Sequence, residues 1–475
     1  MKKLSSIVKK VLLLCLAAIM LLPATGCKKS SGDGSSDYEI VYEYESDSQS
    51  GIDSNKQSAD KKSGKSESGT GSKKTGGGTT KQTDGSKANN GKTVTVYSWN
   101  AADAVTGAKS VIKKFENQTG MTVNWKTGSY DNYATEIAAL VAADKAPDVV
   151  RLKGYEYSVM GLMDPISVAN YDFSDSKVWD QNVIKYYTVG NKQYGVNMVG
   201  TPLQQPVVIA YNKSLLPKAG GKDPYQLWKQ GKWTWETFTE MIETYTQNTG
   251  KTAWSTHMIY DYAVACGQPL VLKNGDTLKA NLDNADLRKC LKDFATMREK
   301  KQVEPEPWMF YKLDNGTNLF LTTPDINART THFNLTTLKK SKDLRMVPFP
   351  TIGGKPYNQM YEEYEAYGFG KGCKNPNGAA QFLSFYLNPN NYDLDEYFPD
   401  KTMWEVHKWC LNQANVSVCA DKYVLTKDNS VFYRELQVVQ LGQATSQQIG
   451  TKLDSQSGKI NELVNFANQK FARLR

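Results

Sequence analysis

The chain has 475 residues, 40% hydrophobic and 23% charged, with 58 Lys and Arg against 49 Asp and Glu and a formal net charge of +9. The excess is spread along the sequence with no basic run interleaved with aromatics, so a nucleic-acid surface is not indicated. His257, His332 and His407 stand in no metal-ligand spacing, no P-loop or G-x-S-x-G elbow occurs, and DLDEY (Asp393 to Tyr397) lacks the glycine and spacing of a calcium loop. No catalytic residue, metal or cofactor is therefore expected, and the chain is not read as an enzyme.

Residues 1–27 read as a processing signal. Lys2, Lys3, Lys9 and Lys10 give a positive start, Val11 to Leu22 an apolar run, and Ala24-Thr25-Gly26 small residues before Cys27. The run is too short to span a bilayer core, which needs about 20 residues. Small residues directly before a cysteine resemble a bacterial lipobox. That resemblance implies that Cys27 is lipidated and anchors the exported chain to the outer face of the cell membrane. An ordinary secretory signal with an incidental cysteine is the alternative.

Residues 28–91 are dominated by Ser, Gly, Lys, Thr, Asp and Asn, with too few apolar side chains to offset the entropy of ordering. They are expected to form a disordered tether with a root-mean-square reach of about 40 to 50 Å. The remaining chain, Lys92 to Arg475, is too long for one core and suits two lobes. Five cysteines remain after the signal; no disulfide framework is expected, although Cys410 and Cys419 are close enough in sequence to pair.

KTVTVYSW (92–99) alternates with period two and predicts a strand; Ala108, Val111, Ile112 and Phe115 predict a helix ended by Thr119-Gly120. MTVNWKT is a second strand, Tyr133, Ile137, Leu140 and Val141 a second helix, and PDVVRL a third strand. This strand–helix alternation is the parallel doubly wound pattern. From Lys192 to Leu216 a glycine-bearing turn, an apolar strand, a bend at Pro202 and Pro206 and the strand PVVIAY read as a crossing from one lobe to another. Thr234 suits a helix N-cap, with Phe238, Met241, Ile242 and Tyr245 as the apolar stripe. Asn274-Gly275 marks a hairpin, Leu287, Cys290, Leu291 and Phe294 a helix, and Ile460, Leu463, Val464, Ala467 and Phe471 a terminal helix.

Tyr211-Asn212-Lys213 followed by Gly231-Lys232-Trp233-Thr234-Trp235-Glu236-Thr237-Phe238 resembles the family 1 extracellular solute-binding proteins of bacterial ABC importers, the maltose and oligosaccharide binders among them. The likeness continues in DLRMVPFPTIGGKP and EAYGFGKGCKNPNGAAQFLSFYL, which resemble the family's second crossing; NLFLTTPDINART departs from the family pattern. The resemblance implies a two-lobed α/β fold of the type II periplasmic-binding-protein kind, each lobe a mainly parallel sheet flanked by helices. Lobe one is placed at 92–203 and 366–402, lobe two at 204–365 and 403–475. It implies further that Trp233 and Trp235 pack and do not bind, and that ligand is captured by closure about the crossing strands and passed to permease subunits in the membrane; Tyr211 is read as a packing residue beside the hinge. A monomer with no nucleic-acid partner is expected.

Sugars offer C–H faces to aromatic rings and hydroxyls to directed polar groups. Candidate ligand contacts are therefore the aromatic and polar residues at expected strand ends, crossings and loops. They are Trp99, Asn100, Tyr130 and Asp131 from lobe one, Trp254, Tyr260, Asp261 and Trp308 from lobe two, and Tyr364 and Glu365 beside the second crossing. Glu362, Glu363 and Glu365 also invite a glycosidase reading, against which adjacent acids usually form a solvated face. Alternative functions are a surface glycan-binding lipoprotein uncoupled from transport and a binder of another small solute such as ferric iron.

Overall fold

The structure is a computed structural model that describes residues 91–102, 107–130, 132–152, 161–256, 268–305, 312–313, 315–325, 328, 343–351, 359–360, 365–398, 400–412, 416–417, 436 and 441–473. The expected signal, Cys27, the expected tether up to residue 90, Cys266 and Cys419 lie outside them; Gly91, its last expected residue, is described. All described residues belong to one unit, Thr83–Arg475.

Strand β1 (Thr93–Ser98) turns Val94 and Val96 into the core, and α1 (Ala108–Thr119) buries Ala108, Val111, Ile112 and Phe115. The helix stops at Gly120, whose φ of 69° is a left-handed conformation suited to glycine and whose N–H returns to the Glu116 carbonyl. β2 (Thr122–Thr127), α2 (Tyr133–Ala142) and β3 (Val149–Leu152) follow, with β1 parallel to both neighbours. In α2 only Tyr133 and Ile137 are fully buried; Leu140 and Val141 are partly covered. β4 (Met163–Asp164) completes this first excursion.

The chain then runs through α3 (Gln181–Tyr186), whose N-cap Asp180 accepts from the Asn182 and Val183 amides, and the small hairpin β5 (Thr188–Val189) and β6 (Lys192–Gln193). The apolar strand expected next is reduced to single bridges, Val196 to Tyr367 and Met198 to Trp179. Beyond Pro202 and Pro206, β7 (Val207–Asn212) begins, all six residues buried.

In lobe two, α4 (Trp235–Thr249) starts at Thr234, whose hydroxyl accepts from the Thr237 amide at 3.3 Å, and buries Phe238, Met241, Ile242 and Tyr245. β8 (Trp254–Thr256), the hairpin β9 (Val271–Asn274) and β10 (Thr277–Ala280), α5 (Ala285–Glu299), β11 (Val303–Glu304), β12 (Phe320–Pro324), β13 (Leu344–Val347) and the short β14 (Gln359–Met360) follow. The hairpin turns at Gly275 with φ 58°. β15 (Ala366–Gly370) and α6 (Pro376–Tyr386) return to lobe one, and α7 (Lys401–Cys410), β16 (Val416–Ser417) and α8 (Ile449–Ala472) complete the chain. α8 buries all five residues of the expected stripe.

The sheets have matching plans. Lobe one runs β2-β1-β3-β15-β4 and lobe two β11-β8-β12-β7-β13. Each has two parallel pairings, followed by two antiparallel ones where the crossing strand, β15 or β7, inserts beside a strand of the local excursion. The sheets are thus mixed, where a mainly parallel pairing was expected, because the connecting strands run against their hosts. β15 fits only because it carries glycines: a Cβ on Gly368 would lie 2.2 Å from the Tyr194 carbonyl oxygen, and one on Gly370 2.4 Å from that of Pro147.

The start of β1 is tied down. Asn375 caps α6 through its side-chain oxygen and donates from its amide nitrogen to the carbonyls of Gly91 and Thr93, each at 3.1 Å. Asp148 accepts from the Thr95 and Asn375 amides at 2.9 Å. Trp233 is buried and donates to the Pro348 carbonyl at 2.9 Å, in keeping with a packing role, and Tyr211 is buried with its hydroxyl on Asp223. Cys290 is buried, and Cys410 is a buried free thiol. Cys373 is free too, its thiol pushed up to about 12 first by burial and then by Asp148 and Asp164.

At the edge of lobe two, Glu304 accepts from the Ser255 hydroxyl at 2.8 Å, the Lys312 ammonium at 2.7 Å and the Asn318 amide at 2.7 Å. Burial alone would raise its pKa, but these bonds and the Lys312 charge outweigh burial and hold it below the ordinary value of 4.5. A carboxyl so depressed stabilises the fold fully above the unfolded value and loses that contribution as pH falls through the folded one. Glu304→Gln is therefore expected to flatten the fall in urea stability between pH 5 and pH 3. An unchanged slope would show that the carboxylate is not linked to folding.

Candidate functional site

The carboxyl ends of β1 and β3 and the start of β15 meet at one place, because Ala366 pairs with Leu152 at the end of β3. Open α/β sheets gather ligands at this edge. Trp99 follows β1 directly, its ring centroid 4.0 Å from the Arg151 guanidinium carbon, with Tyr133 edge-on at 5.3 Å and Tyr130 edge-on at 6.1 Å. The Tyr133 hydroxyl lies 2.7 Å from the Tyr97 carbonyl and 2.9 Å from that of Arg151, which locks β1 to β3 beneath the rings. Tyr97 donates to Glu136 at 2.7 Å; burial first, then that bond and the Glu136 charge, raise the phenol well above its ordinary value.

Arg151 and Glu365 form an ion pair with side chains only 4% and 1% exposed. The same Glu365 oxygen accepts from the Gln205 amide at 2.7 Å, and the Glu365 backbone carbonyl accepts from Asn197 at 2.8 Å and Gln204 at 3.1 Å. A planar cation stacked on an indole and held by a carboxylate uses both properties that distinguish Arg from Lys.

Three of the expected contacts come together here. Tyr130 is 45% exposed and offers ring surface to solvent, whereas Trp99, at 9%, is the wall behind it. Asn100 is half-buried, and its carbonyl accepts from the Trp125 indole at 2.9 Å. Glu365 lies beside them but points into the Arg151 pair, so for this residue the solvated acidic face is corrected by burial. Trp254 is corrected too. It is wholly buried in lobe two, donates to the Thr322 hydroxyl at 2.9 Å and packs edge-on against Phe238 and Phe294 at 5.2 and 5.8 Å. Asp131, Tyr260, Asp261, Trp308, Tyr364, Glu362 and Glu363 lie outside the described residues.

Arg151, Asn197, Gln204 and Gln205 are the members that sequence reading missed. Arg151 had a usable signal: a charge inside the apolar run DVVRL, in a strand covered on both faces, demands a buried partner. The three amide side chains carried none.

A separate cavity of about 380 Å³ lies where the β9–β10 hairpin meets α3, lined by residues including Gln181, Lys185, Lys273 and Asp276. Asp276 accepts there from the Gly190 amide at 2.8 Å. None of the expected ligand contacts among the described residues lines it. Among the described residues no group of His, Cys, Asp and Glu is placed to hold a metal ion, and no helix is long and apolar enough to cross a membrane.

The profile of the bacterial extracellular solute-binding proteins matches residues 110–394. The chain belongs to that family. No curated protein sequence matches it. Among solved structures, this solute-binding protein is similar to the sugar-binding protein MalE of Xanthomonas citri, with a TM-score of 0.58 at 16% identity over 81% of its own length and 98% of the other. It is similar also to the GacH receptor of Streptomyces glaucescens, described free and with acarbose, with a TM-score of 0.57 at 16% identity over 78% and 98%. A third is the substrate-binding protein Lmo0181 of Listeria monocytogenes in complex with cycloalternan, with a TM-score of 0.55 at 18% identity over 78% and 98%. At these identities the likeness establishes the two-lobed fold of the binding protein.

Proposed function

We propose that this solute-binding protein is a lipid-anchored receptor on the outer face of the cell membrane that captures an oligosaccharide between its lobes and delivers it to an ABC permease. The observation that carries the reading is the exposed Tyr130 ring backed by Trp99 at the carboxyl edge of the lobe one sheet, beside both crossing segments. An exposed ring on a rigid aromatic and guanidinium base suits the C–H face of a sugar. The oligosaccharide complexes among its structural neighbours support the same ligand class. Asn100, with Asp131, Tyr260, Asp261, Trp308 and Tyr364, supplies further candidate contacts, and Cys27 the lipid attachment.

Thermal unfolding of the purified protein against linear and cyclic oligosaccharides, with ferric iron and amino acids as controls, tests this. A ligand at 100 times its dissociation constant stabilises a fold by about 2.7 kcal/mol. Tyr130→Ala should remove the shift given by the sugar and leave the ligand-free midpoint in place. A shift with iron or an amino acid and none with any sugar would overturn the ligand class.

A further inference from the structure

The Arg151–Glu365 pair is poorly explained as a device for stability. Two charges withdrawn from water cost several kcal/mol of desolvation, and such pairs often contribute no more than apolar residues of the same volume. What it does have is position. Arg151 stands in β3 under the Trp99 ring, while Glu365 stands directly before β15, the return crossing. Glu365 also gathers the outbound crossing, through Asn197 and Gln204 on its carbonyl and Gln205 on its carboxylate. Three passes of the chain thus meet on one residue.

The outbound segment is held from the other lobe as well. Asp325, at the end of β12, donates its amide to the Pro206 carbonyl at 2.8 Å, and the His407 ring lies 3.4 Å from the Thr201 carbonyl. Residues 201–206 are therefore gripped at both ends by lobe two and in the middle by Glu365. A rotation of the lobes must shift Gln204 and Gln205 relative to Arg151 or drag the pair with them. Because the guanidinium is stacked on Trp99, that displacement reaches the aromatic wall.

We infer that Arg151 and Glu365 are positioning residues that couple the Trp99 wall to the crossing segments, so that the setting of the wall and the relative position of the lobes change together. This rests on the proposed capture mechanism only for its use; the coupling itself is a property of the ligand-free protein.

The test is made on the full chain without ligand. Nitroxides attached by non-cysteine chemistry at the exposed positions Lys113 on α1 and Lys292 on α5 report the interlobe distance distribution by pulsed electron resonance. Glu365→Gln, which keeps shape and loses charge, is expected to shift that distribution. Arg151→Lys, which keeps charge and loses the planar stack, should do the same, with folding of both checked by circular dichroism. In a Trp99→Leu background, Glu365→Gln should add little further shift. An unchanged distribution in both folded single variants, or shifts that add fully in the double variant, would overturn the coupling. Failure of every sugar to bind would instead overturn the proposed function and leave this result standing.

Discussion

Trp254→Ala should lower the stability of lobe two by about 3 to 5 kcal/mol, the range for truncating a fully buried aromatic side chain. The indole has no solvent-accessible surface and is ringed by Trp235, Phe238 and Phe294 at centroid distances of 6.1, 5.2 and 5.8 Å. Its loss leaves a cavity among rigid rings that cannot collapse into it, and removes the donor to the Thr322 hydroxyl. Urea unfolding followed by far-ultraviolet circular dichroism gives the cost directly. A variant with unchanged stability but no ligand response would restore Trp254 to the binding surface.

A similar loss, about 3 to 5 kcal/mol, is expected for Asp325→Ala, because it strips a buried polar partner from one side only. The Asp325 carboxylate and His407 Nδ1 are 2.5 Å apart and both side chains are wholly buried, with Phe398 and Trp404 against the imidazole at 4.8 and 5.5 Å. Without the acid, the ring is left in an aromatic box with its short hydrogen bond gone. Replacing both members, Asp325→Leu with His407→Phe, should cost less than the single change. Equal or additive costs in urea titrations would show that the two residues do not act as a pair.

The elements that read clearly from sequence were those whose period and punctuation agree. α1 combines a 3.6-residue stripe with a left-handed Gly120, α4 has its Thr234 cap ahead of the stripe, and the β9–β10 hairpin has Asn274-Gly275. Site residues read less well because a strand has two ends. Trp99 follows the carboxyl end of β1 and reaches the expected edge; Trp254 is the first residue of β8, and its side chain turns into α4 and α5. The Arg151–Glu365 pair joins residues 214 apart in sequence, and no local pattern encodes such a meeting. The mixed character of the sheets was hidden for the same reason, since direction is set by which strand β7 and β15 insert beside.

The way Gly91 is fastened bears on how the protein carries force. β1 lies between β2 and β3, parallel to both, and the preceding chain leaves from its amino end, where Asn375 grips Gly91 and Thr93. A pull through a membrane tether would run along the strand and load both flanking ladders in shear, so that many bonds must yield at once and none is peeled off singly. The aromatic wall stands at the opposite end of the same strand, about 20 Å away for six residues. If the proposed lipid anchor holds the chain at this end, drag on it would be absorbed along β1, at the end of lobe one away from the aromatic wall.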